Sequence, residues 1–192
     1  MNDYWKWLDQ VFVPNLQSNR LIGWATMRQL RVKSRLCSNR RILSICQDDY
    51  SLFNEEKISF SPQWKNLSNI ERNYSSSITK AFTYQSNDVL DTYTYTGEYT
   101  IYSGNGYVYE FHGSSLEMQT SLNELRQLEW IDDKTRAVII QMTLYNPNVQ
   151  LFTSITFLLE ILSSSAIISS TRFEPIDLYN HLRWIHSLFY VY

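Results

Sequence analysis

The sequence predicts an α+β fold in which helices pack on an antiparallel sheet, and three features point to it. Apolar and polar residues alternate over 135–145 and again over 149–161, which is typical of two strands that each bury one face. Residues 146–148 (Asn-Pro-Asn) form a turn between them, so the strands make a hairpin. Helical patterns do not alternate regularly with strand patterns, which favours an α+β arrangement over a parallel sheet.

The first half of the chain contains a helix, an extended segment and a long loop. Trp5 and Leu8 recur at helical spacing, and Pro14 ends that helix. Apolar and basic residues alternate over 22–36, which predicts an extended, partly exposed segment. Residues 47–91 are polar and irregular, so we expect a long loop region with short strands.

The second half has clearer elements. Residues 91–111 are rich in Thr and Tyr and are interrupted at 103–106 by Ser-Gly-Asn-Gly, which predicts a hairpin turn. Ser114 and Glu117 form a capping box at the start of a helix. Residues 166–178 predict a third strand beside the hairpin. The helix has an apolar face, which we expect to pack against the hairpin and which comprises Leu122, Leu125 and Leu128.

The composition indicates one folded domain with a contact surface. The 192 residues are 44% hydrophobic and contain 5 Gly and 4 Pro, which is enough apolar material for a core and too little Gly and Pro for disorder. Aromatic residues make up 15%, and such residues favour sheets and interfaces. A net charge of −2 gives no overall field that would attract nucleic acid.

The two ends of the chain suggest a piece of a larger membrane protein. The N-terminus has no basic leader followed by an apolar stretch, so no signal peptide is expected. No stretch of about 18 apolar residues is present, so no complete transmembrane helix is expected. Residues 182–192 fit either an amphipathic helix docked on the core or the first turns of a membrane helix.

Two cysteines, Cys37 and Cys46, lie close together in the sequence. They fit either a disulfide, which would stabilise the loop by about 2–3 kcal/mol, or two unrelated reduced thiols. A metal site is disfavoured because short ligand spacing and a nearby His are both missing. Glycosylation sequons at Asn66 and Asn73, together with the cysteine pair, favour a lumenal or extracellular location.

Catalytic motifs are missing from the sequence. His112, His181 and His186 belong to no nucleophile motif, and the chain has no Gly-x-Ser-x-Gly, no metal-binding His spacing and no phosphate loop. We therefore expect no enzyme activity, no catalytic residue, no metal site and no cofactor.

A local basic segment and a run of tyrosines each allow two interpretations. The basic segment is either a solvated strand and loop or a loop that meets acidic groups on an adjoining subunit. The tyrosines either fill a core or interface, or stack on sugars in a secreted carbohydrate- or ligand-binding module. The basic residues are Arg28, Arg31, Lys33, Arg35, Arg40 and Arg41, and the tyrosines are Tyr93, Tyr95, Tyr99, Tyr102, Tyr107 and Tyr109.

Four motifs in order along the chain resemble those of the polycystin family. Residues 27–32 (Met-Arg-Gln-Leu-Arg-Val) precede Cys37, as a similar segment precedes the first cysteine of polycystins. Residues 102–107 resemble the family's Tyr-Ser-Gly-x-Gly-Tyr turn. Residues 130–137 and 144–152 resemble its Trp-x-Asp-x-x-Thr-Arg-Ala strand and the Tyr-Asn-x-Asn-x-x-Leu-Phe segment that follows.

The resemblance implies where the domain lies and how it assembles. In polycystins this block lies outside the cytosol, between the first and second transmembrane helices, and four copies form a ring above the pore. Residues 1–180 would be the extracytosolic domain, and residues 181–192 would begin a membrane-proximal or transmembrane helix. Cys37 and Cys46 match the disulfide that closes a projecting loop, and this loop touches a neighbouring subunit.

The resemblance also implies a function. The chain would belong to a cation channel subunit, with a role in assembly and gating, as a homo- or hetero-tetramer of polycystin-type subunits without nucleic-acid partners. The parent protein would be a glycoprotein, modified at Asn66 and Asn73, in the plasma membrane, the cilium or the endoplasmic reticulum. Departures at 161–166 and 171–173 from the polycystin-2 pattern favour the polycystin-1-like branch. The expected subunit contacts are Arg28, Arg31, Arg35, Arg40 and Arg41.

Overall fold

A computed structural model describes residues 5, 6, 8, 19–37, 45–67 and 74–176. Trp5, Lys6 and Leu8 are helical, as the N-terminal spacing predicts. The helices are a 3-10 turn (Pro62–Trp64), α1 (Ser76–Ala81), α2 (Asn87–Leu90) and α3 (Ser115–Gln127). The strands are β1 (Arg20–Arg31), β2 (Arg35–Leu36), β3 (Ile45–Cys46), β4 (Tyr84–Gln85), β5 (Tyr95–Thr96), β6 (Ile101–Tyr102), β7 (Gly106–Phe111), β8 (Thr135–Asn146), β9 (Leu151–Ile161) and β10 (Ile167–Ile176).

Six of the strands form one sheet in the order β10-β9-β8-β1-β7-β4. Every neighbouring pair in this sheet is antiparallel, which confirms the predicted α+β class. The predicted hairpin is present as β8 and β9, and β10 pairs with β9 as the third strand. Two small ladders, β2–β3 and β5–β6, stand apart from this sheet.

One face of the sheet packs against helices. Met27, Val138 and Leu159 from three neighbouring strands are buried in one cluster with Leu122 and Leu125 of α3. The capping box is present, because the Ser114 hydroxyl accepts from the Glu117 amide and the Glu117 carboxylate accepts from the Ser114 amide at 2.6 Å. The predicted packing of the hairpin on this helix is confirmed, although Phe157 is only partly buried.

The opposite face of the sheet is covered by loop segments instead of helices. Leu30, Ile139 and Leu158 form a second, smaller cluster with Tyr50 and Tyr102, which come from those segments. Two buried carboxylates lie on this side: Glu160 accepts from the Glu98 and Tyr99 amides, and Glu55 accepts from the Tyr50 and Tyr84 hydroxyls. This face therefore combines a small apolar cluster with buried polar groups that hold the loops.

The predicted hairpin turn at residues 103–106 is wrong. The turn of the β5–β6 hairpin lies earlier, where the Gly97 amide donates to the Thr100 carbonyl at 2.9 Å. Residues 103–105 instead carry the chain across to β7, which pairs with β1 and β4. Gly106 is required there because its φ is +137° and an added Cβ would lie 2.5 Å from the Gln29 carbonyl oxygen.

Candidate subunit-contact site

The two cysteines close a short ladder at one end of the sheet. Cys37 and Cys46 form a disulfide with a Cα–Cα distance of 5.0 Å. In the ladder, Arg35 pairs with Cys46, and Leu36 pairs with Ile45. The loop enclosed by the disulfide, residues 38–44, lies outside the described residues. The ladder therefore fixes both ends of that loop.

Asp48 joins the ladder to the sheet. Its carboxylate binds Arg35 through both oxygens, with a distance of 2.9 Å from Nη2 to Oδ1. The hydrogen bond from Arg35 holds the pKa of Asp48 below its ordinary value. The Asp48 carbonyl accepts from Nε of Arg136, a buried residue of β8, at 2.9 Å. Arg136 also donates to the Gln47 carbonyl at 3.4 Å, so β8 fixes the segment that follows the disulfide.

Asp49 ties the same segment to two more parts of the fold. One of its carboxylate oxygens accepts from the backbone amide of Ser163, in the β9–β10 turn, at 2.6 Å. The other accepts from the Tyr99 hydroxyl, in the β5–β6 turn, at 3.1 Å. These bonds, the Ser163 amide first, lower the pKa of Asp49. The loop base is therefore connected to both neighbouring turns.

A tight turn beside the ladder presents an apolar tip. The Ser51 amide donates to the Asn54 side chain at 2.8 Å, and the Asn54 side chain donates to the Asp49 carbonyl at 2.7 Å. The Lys33 amide, between β1 and β2, donates to the Asn54 carbonyl at 2.8 Å. These bonds hold Phe53 outward with 96% of its surface exposed. We define the loop-base patch as the exposed apolar residues at this end of β1, namely Leu36, Ile45, Leu52 and Phe53.

The predicted basic contact residues have different positions. Arg28 is buried and donates to the carbonyls of Ser103 and Asn105 at 2.7 and 3.3 Å, and burial lowers its pKa to about 10. Arg31 is buried and is paired with Asp132 at 2.9 Å. Both guanidinium groups serve the interior of this chain, so they have no free surface to offer a neighbour.

Of the predicted contact residues that the structure describes, Arg35 is the one that remains a candidate. It is exposed at the surface of the ladder, although it is paired with Asp48. Arg40 and Arg41 lie outside the described residues. The acidic residues Glu55 and Glu56 are buried, so they too are unavailable as surface charges.

Several important residues are missing from the predicted set. Arg136 anchors the loop base, and Glu160 of β9 accepts from the Tyr102 hydroxyl at 2.8 Å and from the Glu98 and Tyr99 amides at 3.0 and 3.1 Å. Arg136 belongs to the Thr-Arg-Ala motif, which indicates the family but does not predict that this side chain binds residues 47 and 48. The sequence does not mark Glu160 as a buried acceptor, because it occupies one of the polar positions of an ordinary alternating strand.

The tyrosine run is mostly interior. Tyr102, Tyr107 and Tyr109 are buried, and the Tyr107 hydroxyl donates to the Ile58 carbonyl at 2.7 Å. Tyr93 and Tyr99 are exposed, and Tyr99 is bonded to Asp49. These residues do not form one aromatic face for stacking on sugars, so the carbohydrate-binding alternative is not favoured.

The remaining predicted sites are simple to place. Asn66 is exposed, which is compatible with glycosylation, and Asn73 lies outside the described residues. His112 is exposed beside Glu110, while His181 and His186 lie outside the described residues. In the described part of the chain, no group of three or more metal-ligating side chains comes together. None of the helices described there is long and apolar enough to cross a membrane.

Comparison with known families agrees with the family that the motifs indicate. The profile of the polycystin domain matches residues 1–179. The chain belongs to the polycystin domain family. The polycystin domain is 30% identical over 194 residues to "Polycystin-2" of Danio rerio, a match that covers 96% of this chain and 20% of that protein.

Other relatives include long proteins of different names. "Location of vulva defective 1" of Caenorhabditis elegans is 31% identical over 170 residues, which covers 85% of this chain and 5% of that protein. The human "Polycystin family receptor for egg jelly" is 26% identical over 216 residues, which covers all of this chain and 9% of that protein. The polycystin domain thus spans a fifth or less of these relatives. Because both polycystin-2 and other family members match, the polycystin-1-like branch stays a prediction.

Proposed function

We propose that this polycystin domain is the extracytosolic part of a cation channel subunit and holds subunits together through the disulfide-closed loop and the loop-base patch. In this proposal four copies form a ring, with the same kind of subunit or with other polycystin-type subunits. The family membership supports the channel context, since the relatives include proteins named polycystin-2.

The observation that carries the proposal is the rigid presentation of an apolar surface beside the loop. Phe53 is almost fully exposed although its turn is fixed by side-chain and backbone hydrogen bonds. Exposed aromatic residues held on a fixed backbone cost little conformational entropy when they bind, which is typical of interface anchors. Asp48 and Asp49 fix the neighbouring base of the loop through further hydrogen bonds.

A ring of subunits requires a particular kind of contact. A closed ring needs heterologous contacts, in which one patch of a subunit meets a different patch of the next. The loop-base patch would provide one of the two patches. Among the described basic residues of the segment, Lys33 and Arg35 are at the surface, and the four exposed apolar residues of the loop-base patch outnumber them, so we expect this part of the contact to be mainly apolar.

The experiment tests assembly in the full-length subunit. Phe53→Ser should lower the co-purification of two differently tagged copies, together with their delivery to the cell surface and the current. The matched control is Val89→Ser, which also removes an exposed apolar side chain, from α2. If Phe53→Ser assembled and conducted like Val89→Ser, the loop-base patch would not be an assembly surface.

A second pair of variants tests the charge. Arg35→Glu breaks an exposed ion pair at the ladder, and the control Arg172→Glu breaks an exposed ion pair with Glu174 on β10. Exposed ion pairs contribute only about 0–1 kcal/mol to stability, so both variants should fold. We expect only Arg35→Glu to weaken co-purification, and equal behaviour of the two would remove Arg35 from the contact.

A further inference from the structure

One row of side chains crosses the sheet at the end opposite the disulfide. Arg20 of β1 pairs with Tyr145 of β8, Tyr145 pairs with Phe152 of β9, and Phe152 pairs with Ile176 of β10. Directly paired residues in an antiparallel sheet place their side chains on the same face. These four side chains therefore form one band, which we call the entry row.

The chain enters and leaves the sheet at the entry row. β1 begins at Arg20, and β10 ends at Ile176. The β8–β9 turn, which contains Val149, closes at the same end. Everything that precedes β1 and everything that follows β10 therefore connects to the sheet here.

The chemistry of this end is aromatic, apolar and poor in charge. The rings of Tyr145 and Phe152 lie 4.6 Å apart and are only half-buried. Val149 and Ile176 are 66% and 44% exposed. Over residues 20–22 and 144–153 the only charged side chain is that of Arg20, while on β10 the exposed Glu174, two residues before Ile176, is paired with Arg172.

The opposite end of the sheet is different. Arg35, Asp48, Asp49 and Asp132 cluster where β1 ends and β8 begins. The loop-base patch lies at that end as well, so both ends of the sheet expose apolar side chains, and they differ in the number of clustered charges.

We propose that the entry row rests in the headgroup region of the lipid bilayer, on the leaflet outside the cytosol. The inference depends on the proposed function, together with the implication of the family resemblance that a transmembrane helix precedes the domain and another follows it. Tyrosine is enriched at membrane interfaces, where its ring is apolar and its hydroxyl is hydrated. Arg20 supplies a cation for lipid phosphates, and the nearby acidic side chain of Glu174 is paired with Arg172 at 2.7 Å.

The path of the chain favours lipid as the partner. Both connections to the sheet leave from the entry row, so flanking membrane helices would hold this end close to the bilayer. A bilayer needs no shape complementarity, which suits a flat row and a protruding turn. The competing possibility is that the transmembrane part of the same protein covers the entry row, and the experiment distinguishes the two.

The test uses the full-length subunit without other reactive thiols, reconstituted in vesicles of phosphatidylcholine and phosphatidylserine. A fluorophore on Val149→Cys should lose most of its emission when the vesicles contain lipid with a spin label on its headgroup. The control is Tyr93→Cys, which is 86% exposed. It lies toward the other end of β1, because the neighbouring Thr92 hydroxyl donates to the Gly104 carbonyl and Arg28 of β1 donates to the Ser103 and Asn105 carbonyls. With 12 residues in β1, the two labels are separated by roughly 35 Å, so the control should not be quenched.

Each outcome decides the inference. Unquenched emission at the wavelength of a label in water would show that position 149 is exposed to solvent, and unquenched emission shifted to the blue would show that protein covers it. Either result would overturn the lipid contact. If Val149→Cys does not fold, the exposed neighbouring position Asn148→Cys serves in its place. Quenching should also fall when Ile176→Ser is added.

Two further readouts separate this inference from the proposed function. Labelling of Tyr93→Cys by a membrane-impermeant reagent on intact cells reports whether the domain lies outside the cytosol. Co-purification of differently tagged copies reports assembly. External labelling and normal assembly without quenching at position 149 would reject the lipid contact alone.

Discussion

The guanidinium carbon of Arg31 lies 3.3 Å from the centre of the Trp64 ring. Arg31 is almost completely buried, and its charge is balanced by Asp132 at 2.9 Å. Burial lowers the pKa of Arg31, while Asp132 opposes that effect. The planar guanidinium thus links the 3-10 turn that contains Trp64 to the start of β8.

Replacement of Arg31 should destabilise the domain strongly. Arg31→Ala removes the stacking and leaves Asp132 without its partner, and we expect a loss of roughly 3 kcal/mol in the free energy of unfolding. Arg31→Lys should lose less but still measurably, because an ammonium group cannot stack or donate in a planar fork. Urea unfolding measures both, with Arg172→Ala as an exposed control. A fully stable Arg31→Lys variant would show that the charge alone is sufficient.

Glu160 should be essential for holding the β5–β6 hairpin on the sheet. Glu160→Gln keeps the shape of the side chain, but its amide NH2 is a donor that faces donors of the backbone. We expect a loss of about 2 kcal/mol in the free energy of unfolding. Glu98→Gln, in the exposed turn, is the matched control and should be nearly neutral. Gly97→Ala should also destabilise, because its Cβ would lie 2.4 Å from a Glu160 carboxylate oxygen. Equal urea midpoints for Glu160→Gln and Glu98→Gln would contradict this role.

Asp49 should make the stability of the loop base sensitive to acid. Its pKa is lowered in the folded state by the Ser163 amide, so its contribution is fully present above the ordinary carboxylate pKa of about 4. The contribution is lost as the pH falls through the lowered value. The stability difference between the wild type and Asp49→Asn should therefore shrink as the pH falls below about 4. A difference that stayed constant over this range would exclude titration of Asp49 as its cause.

The disulfide should stabilise the domain without being needed for the sheet. Cys37→Ser combined with Cys46→Ser should lower the free energy of unfolding by about 2–3 kcal/mol, because the reduced loop gains freedom in the unfolded chain. Far-ultraviolet circular dichroism should keep the signal of the sheet, since β8, β9 and β10 pair with strands of the main sheet and not with the β2–β3 ladder that the disulfide closes. A stability equal to that of the oxidised wild type, or loss of the whole sheet signal, would contradict this expectation.

Local sequence patterns were sufficient to predict the β8–β9 hairpin and the start of α3. The alternation over 135–161 and the turn at Asn146-Pro147-Asn148 determine β8 and β9, because each strand must bury one face. The Ser114 capping box determines the start of α3 for an equally local reason. The spacing of Cys37 and Cys46 allowed a disulfide or two reduced thiols, and only the family resemblance favoured the bond that the structure contains.

The tertiary structure decided the roles of the charged residues. Arg28, Arg31 and Arg35 are alike in the sequence, but two are buried and one is exposed. The reason is that β1 is a central strand whose two faces are both covered, and the loops that cover one of them come from residues distant in the chain. The partners of Arg28 and Arg31, at residues 103–105 and 132, are 75 to 101 positions away. Sequence periodicity shows which side of a strand a residue occupies, whereas burial depends on what the rest of the chain places over that side.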